Sequence, residues 1–196
     1  MVLNRAALRT NFVVSNKIML DAGLSCPMGV DYIFLTHGHS DHMASIYYNT
    51  LTPVAVGKKR LIYVPAEIKD RIDTYLQVSY EVGAASPGIF DESALTYETI
   101  GVMSGEEIDI THNGKPYRVV VFDNDHSVPC RSFGFDEHVK SLKDMYRGLE
   151  GRDLGALRKQ GVQIEEYRHV PRFVYIGNSQ CVLQHLHYWN SLQLCC

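Results

Sequence analysis

Residues 36–43 read Thr-His-Gly-His-Ser-Asp-His-Met, which puts three histidines and one aspartate within six positions. Imidazole nitrogen and carboxylate oxygen are the donors that suit zinc and similar divalent ions, with zinc–nitrogen bonds of about 2.0–2.1 Å. His37, His39 and Asp41 alternate at period two, so an extended segment turns all three to one side. His42 arrives from the first turn of the next segment and reaches a neighbouring point from another angle. Gly38 removes the side chain between the first two histidines and lets the backbone pass close to an ion. A later histidine, His126, again follows the end of an apolar strand pattern. It is the third imidazole that a zinc shell of His37, His39 and His126 needs, with one position left for water.

The flanking residues indicate what must hold this cluster. Tyr32-Ile33-Phe34-Leu35 is a short apolar run rich in β formers, the pattern of a strand buried on both faces. Met43, Ile46 and Tyr47 then fall at helical spacing, with Ser40 as the expected N-cap. The cluster is thus expected at the carboxyl end of a buried strand and just ahead of a helix, where α/β proteins commonly place chemistry. Residues 10–20 read as two short strands joined at Ser15-Asn16-Lys17, leading into Asp21-Ala22-Gly23. Arg60–Val64 is another buried-strand pattern, and Pro65 is expected to open a helix whose Ile68, Ile72 and Leu76 form a core-facing stripe. Residues 80–97 are weakly patterned and read as a surface excursion. Residues 106–122 form a hairpin turning at Asn113-Gly114, and its second strand runs into the His126 segment.

A length of 196 residues suits one domain with a real core, expected to span 1–196. No stretch approaches the roughly 20 apolar residues of a membrane span, so no membrane partner is expected. The first residues carry no charged-then-apolar signal pattern. Five irregularly spaced cysteines show neither a disulfide framework nor a Cys-x-x-Cys zinc pattern, which favours a reducing, intracellular compartment, cytoplasmic or nuclear. A net charge of −3 argues neither for nor against a nucleic-acid partner, because only a local patch matters. Two concentrations of positive charge stand out: Lys58-Lys59-Arg60, and the set Lys140, Lys143, Arg147, Arg152, Arg158 and Lys159. Either reads equally well as a solvated helix face.

His-x-His-x-Asp-His after an apolar strand resembles the signature of metallo-β-lactamase fold hydrolases. Three further stretches narrow the resemblance: His126-Ser-Val-Pro-Cys-Arg-Ser-Phe-Gly-Phe, Tyr146 through Gly161-Val-Gln-Ile, and Phe173-Val-Tyr-Ile-Gly-Asn178-Ser. Together they look like ribonuclease Z, the transfer-RNA 3′-processing endoribonuclease, and its short, plant-like form in particular. The resemblance implies an α/β fold, a metallo-β-lactamase-type αββα sandwich, here incomplete on its C-terminal side with residues 181–196 as a divergent tail. It implies one or two zinc ions, with manganese as a substitute, and precursor tRNA as the RNA substrate. His37, His39 and His126 would hold one ion. Asp41 and His42 would hold the second, together with a bridging residue and a late histidine, and Asp41 would act as general base. Asp21 would lie behind the site and orient a ligand histidine.

Two departures weigh against full activity. The bridging carboxylate is expected where this chain has Asn178, and an amide brings no charge. Two divalent ions about 3.5–4 Å apart repel by roughly 20 kcal/mol at an effective dielectric of about 20, so a lost anion weakens the second site. The late histidine has only His185 and His187 as counterparts, with too little chain before them. The rivals to the enzyme are therefore a catalytically degenerate homologue that acts by binding, and a hydrolase of another substrate with the same fold. An exposed sheet edge would invite pairing, so a homodimer is also expected.

Overall fold

The computed structural model describes residues 9–27, 29–52, 54–84 and 95–178. β1 (Phe12–Val14) and β2 (Ile18–Leu20) pair antiparallel around a turn in which Ser15 and Asn16 take φ of 48° and 56°. β3 (Tyr32–Phe34), β4 (Arg60–Pro65) and β5 (Tyr97–Val102) then add in parallel, giving the order β1-β2-β3-β4-β5. Parallel neighbours need a crossover. Between β3 and β4 it is α1 (Ser40–Met43) with α2 (Ile46–Leu51), and after β4 comes α3 (Lys69–Ala84). The second sheet is antiparallel throughout: β6 (Glu107–His112), β7 (Lys115–Asp123), β8 (Arg131–Leu142) and β9 (Glu165–Tyr175), in that order. A short helix, α4 (Gly151–Lys159), lies in the β8–β9 connection and has no buried residue.

Alternation along the first-sheet strands divides the core in two. Met19, Ile33, Ile62 and Val64 meet Ile46, Ile72 and Leu76 of the helices on one face. Ile18, Leu20, Phe34, Tyr63 and Val102 face Ile110, Val119, Val121, Phe133 and Phe135 of the second sheet. Phe34 is the hub of that inner layer. Its ring stacks on Tyr63 at 4.8 Å and meets Phe133 at 5.1 Å and Phe135 at 5.2 Å. Such pairs add about 0.5–1.5 kcal/mol each beyond the area they bury. Helices, first sheet and second sheet are thus stacked in the α/β layering expected of an αββα sandwich. Among the described residues the second sheet has one short helix, α4, with no buried residue.

Several local expectations are corrected. Ser40 is the first helical residue, not the cap; His39 holds the cap position and makes no side-chain capping bond. The expected single helix breaks after Met43 because its carbonyls are engaged elsewhere. Thr10 N takes Asp41 O at 2.8 Å and Ala22 N takes His42 O at 2.6 Å, while Ser45 N turns back to Ala22 O. Pro65 ends β4 opposite Val102 instead of opening the helix, and a 3-10 turn (Ala66–Ile68) precedes α3. The stretch 80–97 is no plain excursion, since α3 runs to Ala84 and β5 starts at Tyr97; its middle, 85–94, lies outside the described residues. The basic run at 58–60 is not a surface triplet, because Arg60 is wholly buried. Its guanidinium donates to the carbonyls of Val30, Asn49 and Thr52 and ties the α2 end to the sheet. In the other basic set, Lys140 and Arg158 are paired with Glu165, and Arg147 with Asp144.

Gly23 packs where no side chain fits: a Cβ there would collide with Asp41 O and sit 2.7 Å from Thr10 N. Gly23→Ala is therefore expected to lower the unfolding free energy by about 1–3 kcal/mol or more, through forced backbone movement. Gly155→Ala, in α4 with nothing within 4 Å of the added carbon, is expected to be neutral or stabilising by about 0.4–1 kcal/mol. Urea unfolding of the two variants side by side checks the contrast.

Candidate metal centre

β3 delivers Thr36 to the rim of the sandwich, and the chain then passes His37 and His39 before turning into α1. β7 delivers His126 from the other sheet. A backbone bond from Arg131 N to Thr36 O, 2.9 Å, laces the two rims together. The three rings meet there. His37 Nε2 lies 3.1 Å from His39 Nδ1, which lies 3.3 Å from His126 Nε2, and all three donor atoms fall within 4.8 Å of one another. Bonds of 2.0–2.1 Å at tetrahedral angles put donor atoms about 3.3 Å apart. The rings stand at 79–82° to each other with centroids 4.7–5.0 Å apart, fanned about a common point. The arrangement fits a divalent cation.

Behind the rings sits Asp21, entirely buried, in the left-handed region with φ 58°. Its amide bonds to Phe34 O, and the turned backbone aims the carboxylate back at the loop. Oδ1 accepts from Thr36 N at 2.7 Å and Thr36 Oγ1 at 2.9 Å. Oδ2 accepts from His42 Nδ1 at 2.6 Å and from the Tyr175 hydroxyl at 2.7 Å. An ionised carboxylate only accepts, so His42 carries its proton on Nδ1 and keeps the Nε2 lone pair for a ligand. Thr36 Oγ1, donating to Asp21, accepts from His37 Nδ1 at 2.9 Å, which frees His37 Nε2 in the same way. His42 Nε2 stands 3.5 Å from Asp41 Oδ2, and the two form a second donor pair beside the first group.

Asn178 is exposed, and its backbone carbonyl accepts the Cys130 thiol at 3.5 Å. The same thiol lies 3.8 Å from His37 Nδ1. His185 and His187 lie outside the described residues, as does the rest of the 181–196 tail. Gly38 faces Ile68, whose Cδ1 would be 3.4 Å from an added Cβ, so its position is open to ordinary contact on that side. The sequence pattern did not single out Thr36, Tyr175, Cys130 or Arg131 as parts of the site. Thr36 adjoins the histidine cluster and was legible in principle; Tyr175 is 154 residues from its partner and was not.

Burial pushes the His37 imidazole down to about 3, with His42, His39 and His126 adding repulsion. His126 is lowered by its desolvation and by His39 and His42. Burial also works against the charged form of His42, but the hydrogen bond and charge of Asp21, with Asp41 beside it, prevail and raise its pKa. Burial and the neighbouring rings thus favour the neutral, ligand-ready forms of His37 and His126.

These elements define a class of protein: a two-sheet α/β sandwich with a histidine group at the strand ends of both sheets. Within that class the sequence is similar to ribonuclease Z. It is 27% identical over 169 residues to tRNase Z TRZ1 of Arabidopsis thaliana, covering 84% of this chain and 56% of that protein. It is 25% identical over 146 residues to a nuclear ribonuclease Z of Triticum aestivum, covering 71% and 75%. It is 30% identical over 146 residues to ribonuclease Z of Methanococcus maripaludis, covering 71% and 44%. The chain spans about half the length of most of these curated relatives. Among solved structures it matches the short form of human tRNase Z with a TM-score of 0.41 and 15% identity, over 65% of this chain and 57% of that one. No family profile matches the chain.

An unfolded His37 would titrate at its ordinary 6.5, whereas the folded one resists protonation down to about 3. Below pH 6.5 the unfolded state therefore binds the extra proton, and metal-free stability should fall as pH drops from 6.5 toward 3. Urea unfolding at pH 7 and pH 5 is expected to show this loss, and His37→Gln to flatten it.

Proposed function

We propose that the chain is a metal-dependent endoribonuclease of the ribonuclease Z type, cleaving 3′ trailers from precursor tRNA. The observation that carries the reading is the spacing of His37 Nε2, His39 Nδ1 and His126 Nε2. Ring nitrogens at 3.1 and 3.3 Å either share a proton or surround a cation, and the convergence of three rings at the spacing of a tetrahedral ligand shell supports the cation. Zinc is the ion we assign to them, with manganese as a substitute, and Asp41 with His42 as donors to a second ion. Divalent ions there would supply a Lewis acid for a phosphoryl oxygen and acidify a water.

The chain's own residues do the rest. Asp21 and Thr36 hold the His37 and His42 rings in the tautomers that present Nε2. Asp41, part-exposed at the rim, is placed to take the proton of the attacking water. Asn178 offers an uncharged amide where a carboxylate would offset repulsion between two ions, so the second ion is the weaker one. The same observation supports the second reading, a homologue that binds one ion and RNA without turnover. In either case we place the protein in a reducing compartment, cytoplasmic or nuclear; the buried free thiols Cys26 and Cys130 agree with this. A homodimer remains part of the proposal.

Elemental analysis of the purified protein is expected to give at least one zinc per chain, and His126→Ala to abolish it. Precursor tRNA incubated with protein and zinc or manganese should yield a shortened RNA with a 3′-hydroxyl. Asn178→Asp is expected to raise occupancy by the second metal equivalent and to speed cleavage. No cleavage by either protein, with one zinc retained, would establish the binding reading instead.

A further inference from the structure

The Asp21 carboxylate is shared unevenly. Oδ1 is held by Thr36, through its amide and hydroxyl, whereas Oδ2, which the same hydroxyl reaches only at 3.1 Å, is divided chiefly between two shorter donors, one from α1 and one from the second sheet. One is His42 Nδ1 at 2.6 Å, and the other is the hydroxyl of Tyr175 at 2.7 Å. Tyr175 ends β9, the last described strand, and its ring is braced edge-on by Phe12 at 5.8 Å. Just beyond it, Gly177 N donates to Ser132 Oγ at 3.2 Å and Asn178 O receives the Cys130 thiol. Gly177 has no room for a side chain, with Arg131 O and Cys130 Sγ both 2.7 Å from an added Cβ. The phenol is therefore a strut of fixed position, running from the second sheet to the carboxylate that holds the α1 histidine, His42.

We propose that Tyr175 is a positioning residue: by sharing Oδ2 of Asp21 with His42, its hydroxyl sets how tightly that carboxylate grips the His42 ring. Two donors on one oxygen divide its electron density, and each bond is weaker than it would be alone. Without the phenol, the buried oxygen keeps His42 and the longer Thr36 contact only, and the Nδ1–H bond tightens. The ring then turns toward Asp21 and its Nε2 shifts relative to Asp41. The importance of His42 rests on the function proposed above, but the strut itself is present without metal and can be tested without it.

The test is proton NMR of the metal-free protein, following the His42 Nδ1–H signal, assigned by its loss in His42→Gln. In Tyr175→Phe, which removes one oxygen and keeps the ring, the signal is expected to move downfield. In Phe12→Leu, which loosens the ring's packing and keeps the hydroxyl, it is expected to stay. A signal unmoved in Tyr175→Phe, or moved equally in both variants, overturns the proposal. Should Tyr175→Phe not fold, a nuclear Overhauser contact between the Tyr175 hydroxyl proton and the His42 Nδ1 proton in the unsubstituted protein decides it: presence supports the strut, and absence overturns it. A downfield shift in a protein that binds no zinc would leave the strut standing and defeat the enzymatic reading instead.

Discussion

A single buried carboxylate sets the geometry of everything near the strand ends. Asp21 has no solvent exposure, and an ion of its size costs several kcal/mol to bury even after relaxation. That cost is offset only if its lone pairs are met. Here they are met by donors from the β3–α1 loop, from α1 and from β9. Each donor is fixed in return, so the charge converts three separate segments into one arrangement. The backbone contributes as well: at φ 58° Asp21 occupies a region that costs an ordinary residue roughly 1–2 kcal/mol. Aspartate tolerates that conformation better than most, and the kink turns its carboxylate out of the strand line toward Thr36 and His42. Strain of this sort persists where surrounding bonds over-determine it.

The histidine group, by contrast, exists only because two sheets are packed. His37 and His39 come from one sheet and His126 from the other. The inner layer centred on Phe34 sets their separation. The Arg131–Thr36 backbone bond continues that packing to the rim. Arg131 itself is buried and bridges Glu67 at 2.5 Å and Asp123 at 2.8 Å, joining the residues after β4 to the end of β7. An ion held by all three imidazoles would therefore be linked to the inter-sheet core, and its binding free energy would add to the stability of the packed form.

Much of this was legible in the chain because it is local. The spacing of His37, His39 and His42, the apolar run before them and the Asn113-Gly114 turn all act within a few residues. The Asn-Gly turn needs positive φ at both positions, and the structure has 52° and 76° there. What escaped the sequence reading is long-range. The helix after Ser40 breaks because Thr10 and Ala22 claim the carbonyls that would have continued it. Arg60 reads as surface charge beside two lysines, yet it is buried by carbonyls some 8–30 residues away. Gly23 looks like part of a turn, and only the approach of Asp41 O shows why it must lack a side chain. β8 and β9 are too mixed in composition to announce an eleven-residue edge strand, since charged residues such as Arg118, Asp136 and Glu137 pair within the sheet.

The two halves of the proposed metal centre would be unequal, and the inequality follows from charge. Three imidazoles, those of His37, His39 and His126, converge on the proposed first site. The proposed second site would have one carboxylate, Asp41, and one imidazole, His42, whose opposite nitrogen is engaged by Asp21. A second divalent ion placed a few ångströms from the first meets direct repulsion, which only anionic donors or the substrate's own phosphate can offset. With an amide at position 178, the proposed site would leave more of that offset to the phosphate. On the function proposed above, the second ion and the nucleic acid would favour each other's binding, so that metal content measured without RNA would understate the metal present when RNA is bound.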